Sequence, residues 1–412
     1  MKRRVVITGL GAVTPFGTGI DVFWDGLKNG KSATRRISSF DPTDFNSQVA
    51  GEVIDFNPED FIDKKSVKRL DRFSHFMLAA GKMAMEDSGL DIESIDKTRA
   101  GSIIGCGIGG IQTLENQHTV IMKKGPSRVS PFLVPMMISN MAPGNLAIML
   151  GLQGVNFSVA SACASGTHAI GECFRKISSG EQDIMFGGGV EAAVTPLTVA
   201  GFSAMKALST LNDTPATASR PFDKTRAGFV ISEGGGVLVL EEYEHAKKRN
   251  AKIYAEIIGY GATDDAFHIT QPAPEGEGAF RSMKNAIEDA GIKPENIDYI
   301  NAHGTSTHLN DLNETKAIKN LMGEHAKNIK ISSTKSMIGH LLGASGAVEA
   351  VAVSLMIKNG IIHPTINYNT PDEECDLDYV PNKAINKQIN YALSNSLGFG
   401  GHNGTLVFKN IT

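Results

Sequence analysis

The sequence predicts an α/β protein built from two similar halves, and the first observation behind this prediction is an internal repeat. Residues 84–96 (AMEDSGLDIESID) and 286–298 (AIEDAGIKPENID) are identical at seven of thirteen positions. Each copy overlaps the end of an amphipathic helical pattern, over 76–88 and 279–290, and contains a glycine where helices commonly stop. A chance likeness of two helix ends is the alternative, because this ending is common.

The second observation is a repeated order of strand, small residues and helix. This order occurs at 155–179 and recurs at 329–358, where a helix is predicted over 346–358. Strands that alternate with helices build sheets through crossover connections. We therefore predict a duplicated α/β unit with halves 1–250 and 251–412 that share one core.

Composition and charge place the chain among ordinary globular proteins. It has 412 residues, 41% of them hydrophobic, and a net charge of −4, which argues against a surface for nucleic acid or anionic membranes. It contains no apolar stretch of ~18 residues, so we expect no membrane span. The four cysteines show neither C-x-x-C pairs nor disulfide-framework spacing, which favours a cytoplasmic location.

The first structural element is predicted from the apolar run Val5–Ile7, which follows a basic start. This run breaks at Thr8 and Gly9, too early for a signal peptide. We expect a first β-strand followed by a glycine turn.

Cys163 lies between a β-prone run at 155–159 and a helical pattern, so we expect its thiol at a helix N-terminus. The free N–H groups and the dipole of a helix N-terminus favour thiolate over thiol. The small neighbours Ala162, Ala164 and Ser165 leave room for an acyl group. A buried structural cysteine, packed as a small hydrophobe, is the alternative.

Two histidines follow predicted strands of the second half, where open α/β sheets carry their chemistry. His303 lies in NAHGTST and His340 in the turn before the helix at 346–358. Either histidine alone could be a polar loop residue. The sequence contains neither H-x-x-x-H nor H-E-x-x-H nor C-x-x-C, so we expect no catalytic metal. A nucleophile with proton-transfer or hydrogen-bond partners is the interpretation we prefer.

The loop Gly105–Gly110 matches G-x-G-x-x-G after a strand, a pattern of dinucleotide sites. Such a site also needs an acidic residue after a second strand ~20 positions later. The sequence has Val129-Ser130-Pro131-Phe132 there instead. We therefore expect this loop to serve close packing at a domain or subunit contact.

Four ordered motifs together resemble a known family. They are VASACASG at 159–166, NAHGTST at 301–307, KSMIGH at 335–340 and NSLGFGG at 395–401. In this order they resemble the β-ketoacyl-acyl-carrier-protein synthases of the thiolase superfamily, and most of all the elongating synthase II group of bacterial type II fatty-acid synthesis. The resemblance extends from Arg4 to the C-terminus.

The resemblance implies a thiolase-like, five-layered α-β-α-β-α fold, a homodimer, no metal or organic cofactor, and acyl-carrier protein as the partner. The implied activity is that of an acyltransferase. An acyl group is held as a thioester on Cys163, and malonyl-carrier protein condenses with it by a decarboxylative Claisen reaction. A polyketide-type ketosynthase and a non-catalytic partner of the chain-length-factor kind are the alternatives. A thiolase is disfavoured, because its second cysteine would lie in the Gly-Phe-Gly-Gly turn and Cys375 lies outside that turn.

Catalytic roles carry over residue by residue. Cys163 is implied as the nucleophile, and His303 and His340 as the residues that bind the malonyl thioester carbonyl and stabilise the enolate. Lys335 is implied to support the His340 region. The backbone N–H groups of Cys163 and Phe399 are implied as the oxyanion hole. Further implied residues are Glu314, which organises the active-site loops; Ile108, Phe202, Thr270, Thr305, Thr307, Phe399 and Gly400, which bind substrate; and Lys64, Lys65, Lys68, Arg69 and Lys206, which dock the carrier protein.

Each supporting assignment has a structural alternative. Lys335 and Glu314 could form an ion pair with each other, Ile108 and Phe399 could be core residues, and the basic residues could be a solvated surface. The sequence departs from the family pattern at His308, where proline is common, and at Gln271. These departures bear on carrier or chain-length preference.

Overall fold

The computed structural model describes residues 2–411. Residue 1 of the predicted first half and residue 412 of the predicted second half lie outside this range. The strands within this range are β1 Val5–Thr14, β2 Gly17–Thr18, β3 Arg35–Arg36, β4 Val49–Gly51, β5 Ala100–Gly105, β6 Asn156–Val159, β7 Ile184–Glu191, β8 Ile231–Ser232, β9 Gly234–Glu242, β10 Ala255–Asp264, β11 Tyr299–Asn301, β12 Lys330–Ser332, β13 Ile361–Ile362, β14 Ile385–Asn386, β15 Tyr391–Gly398 and β16 His402–Lys409. The α-helices are α1 Ile20–Lys28, α2 Lys64–Val67, α3 Arg72–Ser88, α4 Ile111–Lys124, α5 Leu133–Met137, α6 Met141–Leu150, α7 Ser165–Ser178, α8 Pro196–Ala204, α9 Tyr243–Lys248, α10 Glu277–Ala290, α11 His308–Met322, α12 Lys335–Ile338 and α13 Ser345–Asn359.

The main sheet has eleven strands: β2 pairs with β1, and the other ten form two five-stranded arrays with the same pairing pattern. In the first array β6, β5 and β7 are parallel neighbours, and β9 and β1 continue it in antiparallel pairing. In the second array β12, β11 and β15 are parallel, and β16 and β10 are antiparallel. Among the residues that the structure describes, strands of the two arrays pair with each other only where Val5–Ile7 lie beside Ala255–Ile257. One α/β topology thus occurs twice.

Helices cover both faces of each array. Helices α7 and α13 pack between the arrays and contact strands of both, whereas α3 packs on the first array and α10 on the second. Residues Ser345–Ile357 of α13 are all buried, as expected for a helix that is covered on every side. The order helix, sheet, helices, sheet, helix confirms the predicted five-layered fold.

The expected glycine turn after the first strand is wrong. Strand β1 continues through Gly9 and Gly11 to Thr14, with a register shift between Ile7 and Gly9. A Cβ on Gly9 would lie 2.2 Å from the carbonyl oxygen of Ala84, and one on Gly11 would lie 2.0 Å from that of Ala80. These glycines let helix α3 pack directly on the strand.

The predicted helix ends are correct, and the predicted starts are late. Helices α3 and α10 end at Gly89 and Gly291, whose φ angles of 62° and 66° are left-handed. Helix α3 starts at Arg72 because the Asp71 side chain accepts a hydrogen bond from the N–H of Phe73, which caps the helix there. No helix in residues 2–411 is long and apolar enough to cross a membrane.

Candidate active site

Cys163 lies in a tight turn between strand β6 and helix α7. Ala162, the residue before it, has a φ of 49°, a strained conformation for a residue with a side chain. The turn is held by Ser165, whose hydroxyl accepts from the N–H of Ser161 at 2.9 Å and donates to the carbonyl of Ala162 at 2.6 Å. This segment, residues 161–165, is called the nucleophile turn below.

The nucleophile turn opens into a cavity of about 330 Å³. The cavity brings Cys163 together with His303 and His340, from distant parts of the chain. It is also lined by residues that the resemblance assigned to substrate or carrier binding, namely Phe202, Lys206, Thr270, Thr305, Thr307 and Phe399. His308 and Gln271, the two departures from the family pattern, line it as well.

The electrostatics of Cys163 differ from the expectation. Burial raises the pKa of its thiol to about 12, against the positive charge of Lys335 and hydrogen bonds from the backbone N–H groups of Phe399 and of Cys163 itself. The expectation that the helix N-terminus favours the thiolate of Cys163 is therefore wrong, because the desolvation of the buried sulfur outweighs the effect of the helix. The backbone N–H groups of Phe399 and Cys163, which lower this pKa, are those implied as the oxyanion hole.

His303 is a neutral imidazole whose tautomer is set by Lys335. The Lys335 ammonium donates to Nδ1 of His303 at 3.3 Å and to its backbone carbonyl at 2.8 Å. Burial, then the charge of Lys335, then His340, lower the pKa of His303 well below its usual value of 6.5. Because Nδ1 accepts a hydrogen bond, the single ring proton lies on Nε2.

His340 is also a neutral imidazole, and other hydrogen-bond partners set its tautomer. Its Nδ1 accepts a hydrogen bond from the N–H of Leu342 at 3.2 Å and lies 2.8 Å from the hydroxyl of Ser345. Burial first, and the charge of Lys335 second, lower its pKa well below 6.5. The ring proton of His340 therefore also lies on Nε2. The rings of His303 and His340 are 5.3 Å apart and nearly perpendicular, so the cavity holds two neutral Nε2–H donors.

Lys335 is held by a buried ion pair with Glu349, and both side chains are at most 2% exposed. The alternative ion pair between Lys335 and Glu314 is wrong. The implied contact of Lys335 with the His340 region also needs correction, because its ammonium contacts His303. Glu349 lies on helix α13, fourteen residues after Lys335 in the sequence, and no sequence motif marked it.

Glu314 holds the loop that carries His303. Its carboxylate accepts hydrogen bonds from the backbone N–H groups of His303 and Gly304, both at 2.8 Å. The side chain is fully buried, and burial raises its pKa to about 7. Two backbone donors in one loop thus depend on one carboxylate.

Some predicted residues do not line the cavity of Cys163. Ile108 lines a separate, more open cavity of about 350 Å³ that also contains Leu114 and Ile138. Gly400 lies in the turn beside Phe399 and does not line the cavity of Cys163. The remaining docking candidates, Lys64, Lys65, Lys68 and Arg69, lie in and just after α2 and do not line the cavity either.

Sequence reasoning missed Glu191, the carboxylate inside the Gly105–Gly110 loop. Glu191 accepts hydrogen bonds from the N–H groups of Gly107 and Ile108 at 3.1 Å and of Gly343 at 3.2 Å. The loop thus packs around a buried carboxylate rather than a phosphate. The signal in the sequence was the glycine-rich loop itself, because its consecutive backbone N–H groups need an anion or another acceptor. Residues 2–411 contain no group of three or more His, Cys, Asp or Glu side chains placed to hold a metal ion.

Comparison with known families agrees with this geometry. The chain matches the models of the β-ketoacyl synthase N-terminal domain over residues 2–246 and the β-ketoacyl synthase C-terminal domain over residues 254–369. It is 53% identical to 3-oxoacyl-[acyl-carrier-protein] synthase 2 of Synechocystis sp., over 99% of this chain and 98% of that protein. The same figures hold for the synthase of the same name from Staphylococcus aureus.

Solved structures show the same fold. A β-ketoacyl synthase from Burkholderia phymatum superposes with a TM-score of 0.93 at 37% identity, over the whole of both chains. A ketosynthase in a complex described as a type II PKS acyl-carrier protein with its ketosynthase bound to the hexaketide gives 0.93 at 38% identity, again over both whole chains. The ishigamide ketosynthase/chain length factor gives 0.94 at 35%.

Proposed function

Because the chain belongs to the β-ketoacyl synthase family, we propose that it condenses malonyl-carrier protein with an acyl group held on Cys163. It is an enzyme of the acyltransferase class. The observation that carries the proposal is the cavity in which a cysteine thiol lies with two neutral imidazoles that each present an Nε2–H group. This set supplies one nucleophile and two donors for a developing oxyanion.

The first step is acyl transfer. The sulfur of Cys163 attacks the thioester carbonyl of the acyl-carrier protein, the carrier thiolate leaves, and the proton of the Cys163 thiol passes to it. The N–H groups of Cys163 and Phe399 donate to the oxygen on which negative charge develops. One such donor typically contributes ~3 kcal/mol. The high pKa of Cys163 means that attack and proton transfer are coupled.

The second step is decarboxylation and condensation. The malonyl thioester carbonyl accepts hydrogen bonds from Nε2–H of His303 and of His340. The bond to the carboxylate breaks, CO2 leaves, and the electron pair forms an enolate held by the same donors. The enolate carbon attacks the acyl carbonyl on Cys163, the bond from sulfur to the acyl carbon breaks, and the released thiolate takes up a proton from solvent.

The fatty-acid role is favoured over the polyketide role. Relatives named 3-oxoacyl-[acyl-carrier-protein] synthase 2 are 53% identical to the chain, whereas the polyketide and ishigamide ketosynthases are 38% and 35% identical. We therefore place the enzyme in the elongation of fatty acids, in the cytoplasm. When the protein is combined with a complete set of elongation enzymes, it should give fully reduced, unbranched acyl chains. Turnover only with a poly-β-keto chain would favour the polyketide role.

Further proposals concern the assembly. Lys206 is exposed and lines the cavity, and we propose that an acidic carrier protein docks on it and on Lys64, Lys65, Lys68 and Arg69. A homodimer is supported by strand β6, an edge strand whose Phe157 is 39% exposed, and by the exposed apolar side chains of Met122 on α4 and Val134 on α5. We propose that the chain consists of two halves, 1–250 and 251–412. Light scattering should give twice the chain mass, and a monomer at micromolar concentration would contradict the dimer.

The decisive experiment is intact mass spectrometry after incubation with a hexanoyl thioester of acyl-carrier protein. One hexanoyl group should appear, and peptide mapping should place it on Cys163. Later addition of malonyl-carrier protein should remove it with release of CO2. Cys163→Ala should not be acylated, whereas Cys375→Ala, a change at another buried cysteine outside the cavity, should react normally. Acylation at a different thiol would disprove the mechanism.

A further inference from the structure

The two backbone donors beside the sulfur of Cys163 lie on separate segments. One belongs to the nucleophile turn, and the other belongs to Phe399 in the hairpin between strands β15 and β16. The hairpin packs directly on the turn, since a Cβ at Gly398 would lie 2.9 Å from the carbonyl of Ser161 and 3.2 Å from the nitrogen of Cys163. The spacing of the two donors therefore depends on what holds the two segments together.

His168 bridges these segments from the first turns of helix α7. Its Nε2 lies 3.1 Å from the backbone carbonyl of Asn403 in the hairpin, and its Nδ1 lies 2.7 Å from the hydroxyl of Ser161 in the nucleophile turn. A carbonyl only accepts hydrogen bonds, so Nε2 carries the proton and donates to Asn403. Burial lowers the pKa of His168, so the ring is neutral and Nδ1 accepts from the Ser161 hydroxyl.

The surroundings fix the ring in this position. Gly404 on strand β16 lies flush against it, because a Cβ there would come within 2.8 Å of Cδ2 and 2.9 Å of Nε2 of His168. The ring of Tyr260 packs against it at a centroid distance of 6.2 Å, in a T-shaped arrangement. His168 does not line the cavity of Cys163 and so does not contact substrate there.

We propose that His168 is a positioning residue for acyl transfer, which sets the distance between the N–H donors of Cys163 and Phe399 by tying Ser161 to Asn403. This inference rests on the proposed function, in which those donors stabilise the oxyanion of the acylation step. An error of about 1 Å in such positioning can cost on the order of 10²-fold in rate. Condensation develops an oxyanion on the same acyl carbonyl and should need both donors as well, whereas decarboxylation at the histidines and chemical alkylation of the sulfur develop no oxyanion at these donors.

The test compares two reactions of the same sulfur in His168→Phe, which keeps a ring but loses both hydrogen bonds. Acylation by hexanoyl-carrier protein is followed by mass in a single turnover, and alkylation by iodoacetamide is followed in parallel. Acylation should slow by about 10²-fold, the typical cost of losing one oxyanion donor. Alkylation should slow much less than acylation, because attack on a saturated carbon develops no oxyanion and depends on these N–H groups only through the pKa of the sulfur. His168→Gln, whose amide can still donate to Asn403, should lose less than His168→Phe.

Two further variants complete the design. His75→Phe removes a similar bond, from a ring nitrogen to the carbonyl of Val67, outside the site, and should acylate normally. Ser161→Ala removes one half of the bridge and should slow acylation selectively even if His168→Phe does not fold. Equal slowing of both reactions, or slowing of neither in a folded variant, would overturn the proposal. Failure of the wild-type enzyme to acylate Cys163 would instead reject the proposed function.

Discussion

The buried pair of Lys335 and Glu349 offers a test of how the site is built. Replacing Lys335 by Met leaves the Glu349 carboxylate buried without its cation, and breaking a buried pair in this way typically costs about 3–5 kcal/mol of unfolding free energy. The double variant Lys335→Met/Glu349→Leu removes both charges and leaves no unpaired polar side chain. It should recover most of that stability, because replacing both members of a buried pair is often close to neutral.

Catalysis should behave differently from stability. Both variants lose the ammonium that donates to Nδ1 of His303 at 3.3 Å and sets its tautomer. A hydrogen bond to a charged group is typically worth about 1.5–3 kcal/mol, which corresponds to a loss of roughly 10- to 150-fold in the decarboxylation rate. The double variant should therefore be stable and still decarboxylate slowly.

The assay pairs urea unfolding with release of CO2 from malonyl-carrier protein. Lys335→Met should show a lower unfolding midpoint and slow decarboxylation, and the double variant should show only the second defect. Wild-type decarboxylation in a stable double variant would refute the role of Lys335 in orienting His303. A double variant as unstable as the single one would refute the ion pair as the source of the stability effect.

Three further predictions follow from particular contacts. In Glu314→Gln, which removes the carboxyl that titrates near 7 beside His303, the decarboxylation rate should show no inactivating transition as pH falls through 6.5, because the pKa values of His303 and His340 lie well below 6.5. Their contribution to unfolding free energy should decrease below about pH 6.5, where the unfolded chain takes up protons that the folded chain does not, and a transition in rate at that pH would contradict the neutral tautomers. Ile108 is 38% exposed, so it is not a core residue, and it lines the cavity of about 350 Å³ together with Ala160 of the segment before Cys163. If that cavity holds the far end of the acyl chain, Ile108→Phe should retain activity on short primers and lose it progressively on long ones in a primer series, whereas an equal loss at all lengths would refute the assignment of Ile108 to the acyl pocket. Glu314→Gln should lower unfolding free energy by about 1–3 kcal/mol in a denaturant titration, because the amide nitrogen cannot accept from the N–H of His303 or Gly304, and unchanged stability would refute this role.

Much of the fold could be predicted from the sequence by rules that involve only a few neighbouring residues. Helix periodicity and the left-handed glycines at Gly89 and Gly291 act within a few residues, so the ends of α3 and α10 could be predicted. The same rules failed at Gly9, where the reason for the glycine is a helix backbone seventy-five residues later. A glycine at a close approach and a glycine in a turn look alike in one sequence.

The same distinction between local and long-range information applies to the chemistry of the site. The sequence by itself determined which groups could react, because the motifs around Cys163, His303 and His340 identify side-chain chemistry and family. Only the tertiary structure decided the state of those groups. The pKa of Cys163, near 12, and the Nε2 tautomers of both histidines depend on desolvation and on hydrogen-bond partners that folding brings from other segments. The choice of Glu349 as the partner of Lys335, and the bridge through His168, are likewise long-range contacts, and spacing along a chain does not encode distances between separate segments.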